Sequence, residues 1–185
     1  MNEEYRPVRA ITLPTEDLLE AVSPLPDGIR AGVWDVVGEP KGLEYGEIDA
    51  VVLPYGAGSD WKEALDRVPH LKMLQAQSTG YDGLPELVGP DVAVVSAAGV
   101  HVAGTAELAV ALMLASLRGV DTAVRNAESE TWESRRYPGL ADRRVLLVGV
   151  GGIGAAIAQR LEPFEVELTR VGSRARTDEY GTVHG

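Results

Sequence analysis

The run Gly149-Val150-Gly151-Gly152-Ile153-Gly154 sets glycines in a G-x-G-x-x-G pattern, a spacing suited to holding a pyrophosphate. Val145 to Val148 is an apolar strand leading straight into the first glycine, and Gly152 to Leu161 reads as a helix with Ile153, Ala156, Ile157 and Leu161 on its inner face. Strand, tight turn and helix in that order bring backbone N–H groups and the positive end of a helix dipole to one point, where the phosphates of a dinucleotide can rest. Gly149 permits the turn, Gly151 keeps a Cβ out of the way of the phosphates, and Gly154 allows helix and strand to pack closely. Gly152 and Ile153 complete the candidate cradle in the first helical turn. The competing reading is a glycine-rich turn that binds nothing; the flanking strand and helix favour the dinucleotide.

The strand after the motif, Val166 to Val171, ends in Gly172-Ser173-Arg174-Ala175-Arg176. An NAD site places an acid there to accept hydrogen bonds from the adenosine ribose hydroxyls, and no carboxylate stands in that segment. Ser173 and Arg174 would instead complement a 2′-phosphate, so NADP(H) is preferred and NAD(H) remains open. The alternative is a solvated loop. The histidines are His70, His101 and His184, and there are no cysteines. Thiolate zinc sites, disulfides and a cysteine nucleophile are thereby excluded. No residue is assigned a catalytic role.

Short apolar runs alternating with helical stretches position these groups, the pattern of an α/β fold with a mostly parallel sheet. Val8 to Leu13 reads as a strand, and Thr15 as the N-cap of a helix with Glu16 and Asp17 in its first turn. Ile48 to Leu53 is a second strand, stopped by Pro54-Tyr55-Gly56-Ala57-Gly58. Trp61 to Val68 reads as helix, Lys72 to Gln75 and Val92 to Val95 as strands, and Leu84 to Val88 as a short helix between them. Thr105 to Arg118 is apolar on nearly every side, so it must be buried against another domain or subunit. Asp121 to Arg136 reads as its exposed continuation. A boundary near Gly99 to Thr105 divides the chain into residues 1–100 and 101–185.

Acidic residues outnumber basic ones 28 to 17, a formal charge of −11, which argues against non-specific nucleic-acid binding. The N-terminus, Met1-Asn2-Glu3-Glu4, has neither the basic flank nor the apolar run of a signal peptide. Leu108 to Ala115 is too short to span a membrane. A cytoplasmic protein, without nucleic-acid or membrane partners, is expected.

Several segments taken in order, from about Asp49 to Arg176, resemble the D-isomer-specific 2-hydroxyacid dehydrogenase family, which includes glyoxylate/hydroxypyruvate reductases. Leu71 to Asp82, with its Gly80-Tyr81-Asp82 turn, is similar to the family's strand and loop, and Val94 to Val100 to its next strand. Thr105-Ala106-Glu107-Leu108 begins what looks like its long interdomain helix, and the glycine motif and Leu161-x-x-Phe164 follow at the family's spacing. Departures are Ser96 and Ala98 for a usual asparagine and proline, and Glu165 for a usual glycine.

The resemblance implies a flavodoxin-like substrate domain over 1–100, followed over 101–185 by the start of a Rossmann NAD(P)-binding domain. It also implies hydride transfer between NAD(P)H and a small 2-keto or 2-hydroxy acid, in a homodimer when full-length. Ser78, Thr79 and Gly80 become substrate-side candidates, with loop N–H groups offered to a carboxylate, and Thr79 and Thr105 become candidates for cofactor contact. For Thr105 the plainer reading is a helix N-cap. The family's catalytic arginine, histidine and acid lie well after the glycine motif. The chain alone is therefore expected to be inactive, and its C-terminal third to leave a sheet edge and apolar faces uncovered. The alternatives are a non-catalytic nucleotide-binding or interaction module, or another Rossmann enzyme of the S-adenosylhomocysteine hydrolase or alanine dehydrogenase kind.

Overall fold

The computed structural model describes residues 7–56 and 61–185. Met1 to Glu4, and Ala57 and Gly58 of the expected strand stop, lie outside the described residues. The chain divides into two compact units, one ending at Ala98 and the other starting at Gly99.

In the first unit, β1 (Ala10–Leu13) runs into α1 (Glu16–Ala21). Thr15 caps that helix as expected, its Oγ1 accepting the Leu18 N–H at 3.2 Å. There follow β2 (Arg30–Val33), β3 (Ala50–Val52), α2 (Trp61–Leu65), β4 (Met73–Gln75), α3 (Leu84–Val88) and β5 (Ala93–Val95). The five strands form one sheet in the order β2-β1-β3-β4-β5. Every pairing is parallel. That order is the flavodoxin-like doubly wound arrangement.

Strand β2 has no counterpart in the sequence reading, which takes Ile48 to Leu53 as the second strand. Its Arg-Ala-Gly-Val sequence offers little apolar patterning, and it forms the sheet edge. Gly32 is required there, because a Cβ would lie 2.6 Å from the Lys41 carbonyl oxygen. Trp34, Ile48, Val51, Leu53 and Leu74 are buried together at the centre of this unit. Asp49 ties the amino-terminal end of the sheet, its Oδ2 accepting the N–H groups of Arg9 (2.9 Å) and Ala10 (3.1 Å) while Oδ1 pairs with Lys72.

The second unit opens with α4 (Val102–Arg118), which packs against α6 (Gly152–Leu161). Gly119, at φ 64°, ends α4 in the left-handed conformation, and α5 (Val120–Glu128) leaves at 65° to it. Within this chain α4 buries one face, with Ala106 and Val110 inward, while Leu108 and Leu112 are 58% and 61% exposed. One expectation is corrected here: the stretch after α4 is a separate helix ending at Glu128 rather than a continuation to Arg136.

Strands β6 (Arg144–Val148), β7 (Glu167–Val171), β8 (Arg176–Asp178) and β9 (Gly181–His184) form a second sheet, ordered β6-β7-β9-β8. Its first three members are parallel, and β8 runs antiparallel to β9. His184, read from sequence as tail, is thus part of a strand paired with Val171. Strand β6 lies at the edge, with Leu146 and Val148 exposed, and the opposite face packs Val145, Leu168, Ile157 and Phe164 around buried Leu161. Among the described residues, no single helix is long and apolar enough to cross a membrane.

Candidate functional site

The glycine turn joins β6 to α6, and its geometry follows from residues that lack a Cβ. Gly149 has φ 91°, a conformation that side chains disfavour, and its N–H is held by the Val171 carbonyl at 2.8 Å. A Cβ on Gly154 would lie 2.0 Å from the Gly149 carbonyl oxygen, so only glycine lets the first turn of α6 come down on the bend. Around Gly151, at the N-cap position of α6, a Cβ would meet nothing within 4 Å. Open space there, with the N–H groups of Gly152, Ile153 and Gly154 in the first helical turn, matches what a pyrophosphate requires. The residues present therefore fit a bound dinucleotide.

Ser173 and Arg174 lie exposed on the loop leaving β7. The adjoining Gly172 is packed in, its N–H donating to the His184 carbonyl at 2.8 Å. No acid stands in the segment from Gly172 to Arg176; the first after β7 is Asp178, in β8. Both carboxylate oxygens of Asp178 are engaged by Arg170, at 2.7 and 2.8 Å, and Arg170 is only 4% exposed. That guanidinium holds the Asp178 carboxyl below the usual carboxylate range. Sequence reasoning missed this pair because its partners sit on different strands; an arginine two residues after Leu168, on the strand phase of Val166 and Leu168, was the available signal.

In the first unit, Ser78, Thr79 and Gly80 follow β4 at its carboxyl end, where ligands bind in open α/β sheets. Ser78 and Gly80 line a cavity of about 560 Å³ together with Leu53, Tyr55, Trp61 and Gln77. The Ser78 hydroxyl donates to the Gly80 carbonyl at 2.8 Å, and the Ser78 carbonyl accepts from Ala97 N–H at 2.9 Å. This fixes the loop. Among the described residues the N–H groups of Thr79 and Gly80 donate to no protein acceptor, which leaves them available to an anion. Thr79 is exposed but does not line the cavity.

Thr105 is not a helix cap. It lies inside α4 and donates its N–H to the His101 carbonyl at 3.0 Å, His101 itself standing at the N-cap position. The helix begins three residues earlier than Thr105 because Val102, Ala103 and Gly104 present no obstacle to helical backbone. Thr105 and the 78–80 loop belong to different units.

Residues 110–184 match the family model described as the D-isomer specific 2-hydroxyacid dehydrogenase, NAD binding domain. A glyoxylate reductase of Thermococcus litoralis is 32% identical over 151 residues, covering 74% of this chain and 45% of its own. The matched segment places the second unit in the D-isomer specific 2-hydroxyacid dehydrogenase family. The mouse family member, a glyoxylate reductase/hydroxypyruvate reductase, is 36% identical over 115 residues, covering 57% of this chain and 35% of its own. The chain thus spans less than half the length of these two dehydrogenases. An NADPH-dependent glyoxylate/hydroxypyruvate reductase of Sinorhizobium meliloti, solved with NADP and sulfate, superposes with a TM-score of 0.71 at 21% identity. That match covers 96% of this chain and 56% of the other, and at that identity it reports the shared dehydrogenase fold. The glycine turn lies inside the segment that matches the family's NAD-binding domain.

Proposed function

We propose that this chain supplies the substrate-side loop and the dinucleotide turn of an oxidoreductase acting on a small 2-keto or D-2-hydroxy acid. Exchange of a hydride with C2 of the acid is the chemistry that a bound nicotinamide supplies. The observation that carries the reading is the glycine turn, where Gly154 closes the bend to a spacing that no other residue allows while Gly151 leaves the approach open.

In this reading the backbone N–H groups of Gly151 to Gly154 hold the pyrophosphate, and Ser173 with Arg174 holds a 2′-phosphate, so NADP(H) is favoured over NAD(H). Loop residues Ser78, Thr79 and Gly80 orient the substrate carboxylate, their N–H groups being free of protein acceptors. Thr79 and Thr105 touch the cofactor near its nicotinamide. Residues up to about 100 form the substrate domain and 101–185 the beginning of the cofactor domain. The exposed Leu108 and Leu112 of α4 support a homodimer. A cytoplasmic setting is proposed on the resemblance alone. The acid–base group and the arginine gripping the keto acid are assigned to residues outside these 185.

A second reading is a nucleotide-binding module without turnover. His70 precedes β4, at the opposite end of that strand from Ser78, His101 stands at the N-cap position of α4 and His184 lies in β9, and none of the three is assigned an acid–base role. Titration of the chain with NADPH and NADH, followed by fluorescence of the reduced nicotinamide, tests the dinucleotide site, with saturable binding expected. NADPH oxidation in the presence of glyoxylate, measured on a full-length dehydrogenase that carries this chain together with the acid–base group, separates the two readings, since a module binds without turning over. Absence of binding by either dinucleotide would refute both.

A further inference from the structure

The cavity at the carboxyl end of the first sheet is larger than glyoxylate needs. It measures about 560 Å³, a volume within the range of pockets that hold whole small-molecule ligands. Its apolar walls are Leu53 just after β3, Trp61 opening α2, Ala76 just after β4, and Leu84 and Leu87 of α3. Leu53 and Ala76 are buried, at 2% and 3% exposure. Trp61, Leu84 and Leu87 are half-buried and pack against the core of the same unit.

The polar groups of the lining are engaged or stand at the mouth. Gln77 Nε2 donates to the Leu53 carbonyl and the Ser78 hydroxyl to the Gly80 carbonyl, each at 2.8 Å. Tyr55 and Asp82 are exposed. Among the described residues no buried polar side-chain atom of the lining lacks a partner, no lysine, arginine or histidine lines the cavity, and Asp82 is its one charged group. A substituent bearing a carboxylate or phosphate would therefore find no counter-charge and a like charge at the rim. An apolar substituent exchanges water for leucine and tryptophan surface and leaves no polar group of the wall unpaired.

We infer that this cavity receives the C2 substituent of the substrate, and that the substituent is apolar and branched or aromatic. The acids taken are then of the 2-ketoisocaproate and phenylpyruvate kind, in preference to glyoxylate. This rests on the reading of Ser78, Thr79 and Gly80 as the carboxylate loop and adds the substrate class to it. Gly80 lines the same cavity, so an acid held by the Thr79 and Gly80 N–H groups has its C2 substituent at the opening. Trp61 and Leu87, from two different helices, are the specificity-determining residues. Glyoxylate carries only a hydrogen at C2 and leaves both in water.

The test is an NMR titration of the full chain with glyoxylate, pyruvate, 2-ketoisocaproate, phenylpyruvate and oxaloacetate, reading the amides of Thr79 and Gly80 and the indole N–H of Trp61. The dissociation constant should fall at least about ten-fold from pyruvate to the isobutyl and benzyl acids. The Trp61 indole should shift most with those two, and oxaloacetate should bind no better than pyruvate. Leu87→Gln sets an amide into the wall and should cut the preference to about three-fold or less, whereas Leu87→Met keeps an apolar wall of similar volume and should retain it. Equal affinity across the series, or a preference for glyoxylate or oxaloacetate, overturns the proposal. A size preference that leaves the Trp61 indole unmoved, or that survives in a folded Leu87→Gln, overturns it too. Should Leu87→Gln not fold, the wild-type series decides alone. Absence of shifts at Thr79 and Gly80 with every acid would remove the carboxylate-loop reading and the proposal with it, an outcome distinct from shifts there that ignore the size of the acid.

Discussion

Gly151 and Gly154 sit three residues apart in one motif, yet the structure gives them opposite sensitivities to a methyl group. At Gly154 the added Cβ would stand 2.0 Å from the Gly149 carbonyl oxygen and 2.9 Å from its carbon, so the turn must open by more than an ångström. Overpacking of that kind costs about 1–3 kcal/mol, offset by roughly 1 kcal/mol of better helix propensity for alanine. Because the clash involves backbone and cannot relax by a side-chain rotation, a net loss of about 2 kcal/mol is expected for Gly154→Ala. For a unit of this size that lowers the melting temperature by about 10 °C. Gly151→Ala meets nothing within 4 Å, and its backbone at φ −73° and ψ −164° suits any residue. Its stability should stay level or rise by up to about 1 kcal/mol, while NADPH affinity falls at least about ten-fold because the methyl fills the approach to the phosphates. Thermal melts by circular dichroism and a nicotinamide fluorescence titration read the two quantities separately. Unchanged NADPH affinity in a well-folded Gly151→Ala would refute the assignment of that space to the phosphates.

Two further outcomes follow from local geometry. Glu165 adopts φ 57°, a left-handed conformation costing a side chain about 1–2 kcal/mol, so Glu165→Gly should raise stability by about 0.5–1 kcal/mol after the extra freedom of unfolded glycine is subtracted; a lower melting temperature would contradict this. Asp49 is the second case: burial raises its pKa, but Lys72 and the N–H groups of Arg9 and Ala10 outweigh that and hold it below the usual range. Its contribution is then complete above the unfolded value of about 3.9 and is lost as pH falls through the lower folded value. Asp49→Asn should be less stable at neutral pH by about 1–3 kcal/mol and should lose less stability than wild type on acidification below about pH 4, as measured by urea unfolding across pH. An equally steep acid loss in the variant would exclude Asp49 as its source.

Much of this fold was legible because the informative residues were local. Thr15, the bounds of α3 and α6, and the backbone roles of Gly149 in the turn and Gly154 in close packing follow from local sequence, and the structure reproduces them. Strand β2 was not legible: four residues with a glycine and an exposed arginine carry almost no alternation, and the sheet edge recruits them through tertiary pairing with β1. The start of α4 was misplaced because Thr105 advertised a cap while the permissive Val102-Ala103-Gly104 extended the helix past it. At the candidate site, the absence of an acid from Gly172 to Arg176 was correct along the chain and incomplete in space. Asp178 reaches that region only through the β8–β9 hairpin, and its neutralisation by Arg170 depends on burial, which sequence order does not record.

Backbone amide shifts of the chain, recorded by NMR during titration with NADPH, locate the dinucleotide directly. Saturable shifts concentrated at Gly151 to Gly154 and at Ser173 to Arg176 are predicted. Shifts confined to other residues, or none at all, would contradict a dinucleotide site built on the glycine turn.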